Sequence, residues 1–261
     1  MTRKPSRDAR QAQRHAILAA AHERALASDL TKLLKRIARE AGALVGEGMK
    51  DQAARHPDTY RAQLTRIFEA RLEAAATGAG WLVIEDLLGT GKSNVRFERK
   101  FISLFDVAQA AIRLWINSYA AAKVVRILET TRKRIRNSIA RGEEQNEPPR
   151  VLAKRIVEET GGEIARRRAE TIARTESLTA ASVGSDEAAR VTGLQLDKQW
   201  LATEDARTRP THHAASGQRV DMDAFFTVGG AELKFPRDPN GPAKEVINCR
   251  CVCLYKPRLP K

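Results

Sequence analysis

The sequence predicts an α+β fold: a long N-terminal helical region followed by a small C-terminal α+β module with an antiparallel sheet. Three observations carry that expectation. Residues 1–190 are rich in Ala, Arg and Glu, with apolar positions recurring at three- and four-residue steps, the period of an amphipathic helix. From Leu194 the period changes, and Leu194, Leu196 and Trp200 alternate as on a strand. Turn chemistry is concentrated in the same stretch, at Gly229-Gly230 and again over Pro236-Arg237-Asp238-Pro239-Asn240-Gly241-Pro242. The chain divides on this reading into a helical region, residues 1–148, and a C-terminal domain, residues 149–261.

The first helix is expected over residues 9–45, with Leu26, Leu30, Leu33, Leu34, Ile37, Ala41 and Leu44 on one face and Gly46 and Gly48 ending it. A second follows Pro57, capped by Asp58 or Thr59, with Tyr60, Leu64, Ile67, Phe68 and Leu72 inward and Gly78 and Gly80 closing it. Residues 98–140 read as one long helix or two stacked ones, apolar on most sides, so Leu104, Ile112, Trp115 and Tyr119 are expected to be buried. The segment GEEQNEPP, residues 142–149, is a linker. Helices over 149–160 and 163–190 follow, separated by Gly161-Gly162. In the module a strand starts near Leu194, a hairpin turns at Gly229-Gly230, residues 236–242 form an extended loop, and Val246 to Tyr255 form the last strand.

The 261 residues carry a formal net charge of +14. Such a balance implies a polyanionic neighbour such as nucleic acid, or else well-solvated Arg/Glu faces. The excess is diffuse: 10 Lys/Arg against 4 Asp/Glu over residues 1–40, a net of +6, and 14 against 9 over residues 121–180, a net of +5. Diffuse charge favours contact with a phosphate backbone over the reading of bases. Arg126, Arg132, Lys133, Arg134 and Arg136 are the candidate DNA contacts, with a solvated face as the alternative. No apolar run reaches the roughly 18 residues of a membrane span, so no membrane association is expected. The opening residues lack the apolar core of a secretory signal. Three cysteines at alternate positions of one segment are not a secreted disulfide framework. A protein made in a reducing cytoplasm is expected.

Residues 81–94, WLVIEDLLGTGKSN, end like a phosphate-binding loop at Gly91-Lys92-Ser93. Asp86 stands where the first glycine is required, and a carboxylate there repels phosphate. Nucleotide binding is rejected, and no small-molecule substrate is expected.

On a strand, Cys249, Cys251 and Cys253 would line one face. With His212, two of these sulfurs could form a zinc site from His212, Cys249 and Cys251. The alternative is that the cysteines are small buried hydrophobes and His212 pins its loop through a backbone hydrogen bond. Asn248 and Arg250 would face the other way and tie loops together. His212-His213 beside Asp205 also admits a metal-dependent DNA nuclease with a basic helical clamp, although no set of carboxylates converges on the histidines.

The ordered set Arg174-Thr175-Glu176, Trp200, Asp205, Arg207-Thr208-Arg209-Pro210, His212, Gly217, Phe225, Phe235-Pro236, Asp238-Pro239, Gly241 and Asn248-Cys249-Arg250-Cys251 resembles the Mu F-like head morphogenesis family of tailed phages, the minor head proteins. The resemblance covers about residues 150–255. It departs at Ser182, where Asn is frequent, and at Ser216, where Asp is common. The resemblance implies a minor capsid protein of a phage or prophage, made in the host bacterial cytoplasm and carried in the virion head. Its implied neighbours are the portal protein, other head proteins and packaged double-stranded DNA, bound without sequence preference. Its implied work is head morphogenesis and genome packaging or delivery, with no enzymatic activity and no cofactor. Arg174, Trp200, Asp205, Arg207, Arg209, His212, Gly217, Asn248, Cys249, Arg250 and Cys251 are then expected to be structural pins of the module.

Overall fold

The structure is a computed structural model that describes residues 6–89 and 95–258 and, for residues 95–104, the backbone alone. Gly91-Lys92-Ser93 and the side chain of Leu104 lie outside the described residues. The chain runs α1 (Arg7–Gly46), α2 (Lys50–Arg55), a 3-10 turn (His56–Tyr60), α3 (Arg61–Leu88), α4 (Val95–Glu144), α5 (Pro149–Thr160), α6 (Gly162–Val191), β1 (Leu196–Leu201), α7 (Pro210–Ala215), β2 (Arg219–Asp221), β3 (Phe226–Val228), β4 (Ala231–Leu233), α8 (Ala243–Val246) and β5 (Val252–Pro257). The fold class is α+β, as the change of period predicts.

Packing does not follow chain order. One compact unit comprises residues 1–23, 72–115 and 174–261, the other residues 24–71 and 116–173. Helices α1, α3, α4 and α6 each contribute residues to both units. The 148/149 division read from the sequence falls at the turn between α4 and α5, inside the second unit.

In the second unit Leu26, Leu30, Leu33, Leu34 and Ile37 of α1 are buried, as are Leu64 and Phe68 of α3 and Leu128 and Ile135 of α4. Gly42 lets α1 approach α5 closely: a Cβ there would lie 2.9 Å from Val157 Cγ2 and 3.0 Å from Ala153 O. At the foot of this unit Glu40 accepts hydrogen bonds from Tyr60 Oη and Arg36 Nε and pairs with His56 Nε2. The Tyr60 and Arg36 hydrogen bonds hold the Glu40 carboxyl down at about 2. Burial and Glu40 push the Tyr60 hydroxyl up to about 12. The signs follow from linkage. Below the ordinary Glu value of 4.5 and above about 2, the unfolded chain binds more protons, so stability rises with pH there. Between 10.0 and about 12 the unfolded chain has lost its Tyr60 proton first, so stability falls as pH rises. Glu40→Gln should flatten the acid arm and shrink the alkaline one. The check is the urea midpoint measured against pH, and an acid arm of unchanged slope would exclude this cluster as its source.

In the first unit α3 runs unbroken through Gly78 and Gly80, where the sequence predicts its end. Both glycines serve close approach. A Cβ at Gly78 would lie 3.1 Å from Leu18 Cδ2, and one at Gly80 would lie 3.1 Å from Gly184 O and 3.2 Å from Ala188 Cβ. Gly184 of α6 in turn sits directly on the backbone of Ala76. Helix α4 is one continuous element of 50 residues. Among its described side chains, Ala108, Ile112, Ile116, Ala120 and Val124 are buried at four-residue steps, and the residues between them face outward or are half-covered. Trp115 and Tyr119 are therefore only half-buried, and Leu114 is 74% exposed. That corrects the expectation that this helix is covered on most sides.

The module's main sheet has the order β2-β1-β5, antiparallel throughout, with Trp200 opposite Cys253 and Lys198 opposite Tyr255 and Val220. Strand β2 has only three residues and no sequence signal. Strands β3 and β4 form the expected hairpin, turning at Gly229 (φ 58°) and Gly230 (φ 78°), the left-handed pair such a tight turn requires. The last strand begins at Val252, not Val246. Pro242 starts the short α8, and Asn248 takes a left-handed conformation (φ 59°), so residues 247–251 stay out of the ladder. Trp200, Phe226, Val228, Leu233 and Phe235 form the core of the module with Val183 and Ala188 of α6.

Candidate functional site

Pro210 occupies the first turn of α7, with Arg209 extended ahead of it (φ −65°, ψ 146°), as the residue before proline prefers. The turn of helix that follows aims His212 into the module, where it is 1% exposed. The sequence reading leaves His212 in a long loop; the structure places it on this short helix.

His212 is gripped at both ring nitrogens. Nε2 lies 3.0 Å from Glu245 Oε2. The same oxygen accepts from Thr211 Oγ1 at 3.0 Å. Glu245 sits on α8, is 3% exposed, and depends on Gly229: a Cβ there would stand 2.5 Å from Glu245 Oε1. Nδ1 faces two thiols, Cys251 Sγ at 3.3 Å and Cys249 Sγ at 3.5 Å. The Trp200 ring meets the imidazole edge-on, centroids 5.5 Å apart.

Cys249 and Cys251 reach this point from the segment between α8 and β5. Cys253 is on β5 and does not join them, which corrects the expectation of three cysteines on one face. The hydrogen bond from Cys251, together with His212 and Arg237, outweighs burial and holds the Cys249 thiol well below its usual range. Cys251 is pushed up by its bond to Cys249 and by burial. Burial alone would depress His212, but the Cys249 hydrogen bond and charge, aided by Glu245, raise it.

Arg237 closes the site from the other side. It is 3% exposed and left-handed (φ 68°). Its guanidinium donates to Cys249 O at 3.3 Å, to Cys251 O, and to Ser182 Oγ at 2.7 Å. It also lies 4.0 Å from Cys249 Sγ. Asp238 fixes the loop that carries it, accepting from Lys234 N at 2.8 Å and Asn240 N at 2.9 Å.

Arg250 grips Asp205 with two parallel hydrogen bonds, Nη2 to Oδ1 at 2.7 Å, and its guanidinium holds that carboxyl well below the usual range. Arg207 reaches Asp205 through its backbone N at 2.9 Å, while its side chain is 78% exposed. Arg209 donates to Ile247 O. Asn248 acts through its backbone N, 3.2 Å from Thr175 Oγ1. Gly217 (φ 86°) donates its N–H to Trp200 O at 2.8 Å, and Ser216 Oγ accepts from Ala202 N at 3.1 Å. Arg174 ties α6 to α1 through Glu23, at 2.9 Å, rather than tying the loops. Of the basic run on α4, Arg126, Lys133, Arg134 and Arg136 are exposed, and Arg132 pairs with Asp58 at 3.3 Å.

His213 is turned outward, 4.0 Å from Glu204, and Asp205 is occupied by Arg250. The histidine pair and Asp205 are thus not brought together as a nuclease would need. The sequence reading missed Glu245 and Arg237. Glu245 is one of 32 acidic residues with no local mark, and Arg237 stands at the position that the Phe-Pro-x-Asp-Pro pattern leaves unspecified. No helix among the described residues is long and apolar enough to cross a membrane.

Residues 129–254 match the family described as Phage Mu protein F like protein. The minor head protein GP7 of Bacillus phage SPP1 is 30% identical over 159 residues, 58% of this chain and 49% of that protein. A protein of Enterococcus faecalis named NAD(+)--arginine ADP-ribosyltransferase EFV is 38% identical over 123 residues, 46% of this chain and 25% of that protein. YqbB of Bacillus subtilis, described as uncharacterized, is 32% identical over 91 residues, 33% of this chain and 30% of that protein. The chain thus spans between a quarter and a half of the length of these relatives. No solved structure matches.

Proposed function

We propose, from the match of residues 129–254 to the Phage Mu protein F-like family, that the chain is a minor head protein of a tailed phage or prophage. It works beside the portal vertex and the packaged DNA, in head morphogenesis and in packaging or delivery of the genome, and has no catalytic turnover. The observation that carries this reading is the coincidence of the matched segment with the pinned module. Three residues of the family-like pattern, His212, Cys249 and Cys251, meet in a buried polar centre completed by Arg237 and Glu245 of the same segment, and all five are 3% exposed or less. A centre sealed in that way supports a scaffold that other head proteins can dock on. It does not support a site that admits a substrate. The transferase name of the Enterococcus relative belongs to a protein of which the match covers only 25%.

Two measurements test the reading. Mass spectrometry of gradient-purified particles of the phage that encodes this chain should find it in mature heads, in few copies relative to the major capsid protein. Its absence from heads and proheads would sink the assignment. For DNA, binding should be sequence-independent and fall steeply with salt through counterion release. Substituting Ala at Arg126, Lys133, Arg134 and Arg136 together should reduce the slope of log K against log salt by about one for each phosphate that is no longer neutralised. An unchanged slope would mean that this face of α4 does not touch DNA.

A further inference from the structure

We propose that His212, Cys249 and Cys251 bind a zinc ion, which clamps α7 to the segment between α8 and β5. The first ground is distance. Zinc takes sulfur at about 2.3 Å and imidazole nitrogen at about 2.0–2.1 Å in a tetrahedron, which sets ligand N and S about 3.6 Å apart. His212 Nδ1 lies 3.3 Å and 3.5 Å from the two sulfurs, and all three atoms fall within 4.8 Å of one another.

The second ground is what faces the ring. Glu245 Oε2 stands 3.0 Å from Nε2, placed to accept its proton in the tautomer that frees Nδ1 for a metal. Nδ1 is aimed between two sulfurs, and one ring nitrogen can serve only one of them by a hydrogen bond. A cation placed among the three satisfies all of them. A buried carboxylate on the far nitrogen of a ligating histidine is the usual outer support of such a site, and Thr211 fixes that carboxylate in turn.

The third ground is what surrounds the sulfurs. Arg237 holds the carbonyls of both cysteines, so the backbone that carries the thiolates is set before any ion arrives. The ligands come from segments 37 and 39 residues apart. They join a module whose strands β2, β3 and β4 have three residues each, too short to hold the two ends together by ladder hydrogen bonds. Three protein ligands leave the fourth position of the tetrahedron to water. With zinc bound both sulfurs are thiolates, and any proton still on them passes to solvent. The inference stands apart from the role in the head: the chain can hold zinc whether or not it enters a virion.

The test uses the full chain, purified without chelator from zinc-replete culture. Elemental analysis should find one zinc per chain. Cys249→Ser, Cys251→Ser and His212→Gln should each lose it, and Cys253→Ser, on β5 and outside the cluster, should keep it. Glu245→Gln should weaken zinc about 10–100-fold in competition with a chromogenic chelator. Because the ligand variants can fail to fold, the wild-type chain is also loaded with cobalt, whose thiolate charge-transfer absorption reports the sulfurs directly. A wild-type chain that is metal-free, shows no cobalt–thiolate absorption and melts at the same temperature with and without added zinc would overturn the proposal. So would a Cys249–Cys251 disulfide in the native protein, or zinc that survives Cys249→Ser and leaves with Cys253→Ser.

Discussion

Gly184→Ala should cost about 3 kcal/mol or more, and Gly184→Val should leave the unit that contains it unfolded. An added Cβ would lie 2.5 Å from the carbonyl carbon of Ala76 and 2.6 Å from its Cα, nearer still to the oxygen. These are backbone atoms, so no rotamer change can make room. The helices α3 and α6 would have to move apart, and the neighbouring approach of Gly80 to Gly184 O and Ala188 would open with them. Interiors are packed too densely for such a shift to stay local. For a chain of this length, 3 kcal/mol is roughly a 10 °C fall in melting temperature. Gly46→Ala is the control, since its Cβ would meet only Ala153 Cβ at 3.9 Å, an ordinary separation. It should be nearly silent in the same thermal melt followed by circular dichroism. If Gly184→Ala also melted within a degree or two of the parent, the close crossing would not exist.

The second large effect is expected at Arg237. Arg237→Met keeps much of the buried volume and removes every donor. Cys249 O, Cys251 O and Ser182 Oγ would be left without this partner, and a buried polar group stripped of its partner costs roughly 1–3 kcal/mol. Several such losses in one cluster are not additive, so about 3–5 kcal/mol is the expected total. Arg237→Lys should recover little of it, because an ammonium cannot reproduce the planar fork that reaches three acceptors at once. Arg237→Gly separates the side chain from the backbone: glycine accepts φ 68° without strain, yet should still lose most of the stability. Thiol labelling gives a second readout, with Cys249 and Cys251 becoming reactive in Arg237→Met well below its unfolding transition. A melting curve within about 1 kcal/mol of the parent, with both thiols still protected, would show that the guanidinium is dispensable.

Much of the fold is legible in the sequence, for reasons that can be named. Leu26, Leu30, Leu33 and Ile37 mark α1 because burial follows the helical period. Gly229-Gly230 mark the hairpin because few other residues accept two left-handed conformations in a row. Gly78 and Gly80 mislead because a glycine reads the same whether it ends a helix or lets another helix in, and only residues distant in the chain, Leu18 for Gly78 and Gly184 and Ala188 for Gly80, decide which. The alternating cysteines read as a strand, but Pro242 and the left-handed Asn248 set aside the segment that carries two of them. His212 and Cys249-Arg250-Cys251 stand out by type and pattern. Glu245 and Arg237 do not, because one acid or base among many is distinguished only by what the fold brings to it.

The interleaving of the two units has a consequence for synthesis on the ribosome. The second unit has all of its residues once position 173 has been made. The first unit holds residues 1–23, which are made at the outset, yet it cannot close until residues 174–261 follow. Meanwhile the small-residue face of α3 around Ala76 and Gly80 waits uncovered for α6. Nascent chains of this protein should therefore remain clients of a chaperone until late in translation. For the same reason residues 149–261 cannot be transplanted as a cassette, since the surface that α6 packs on would be left behind in the donor.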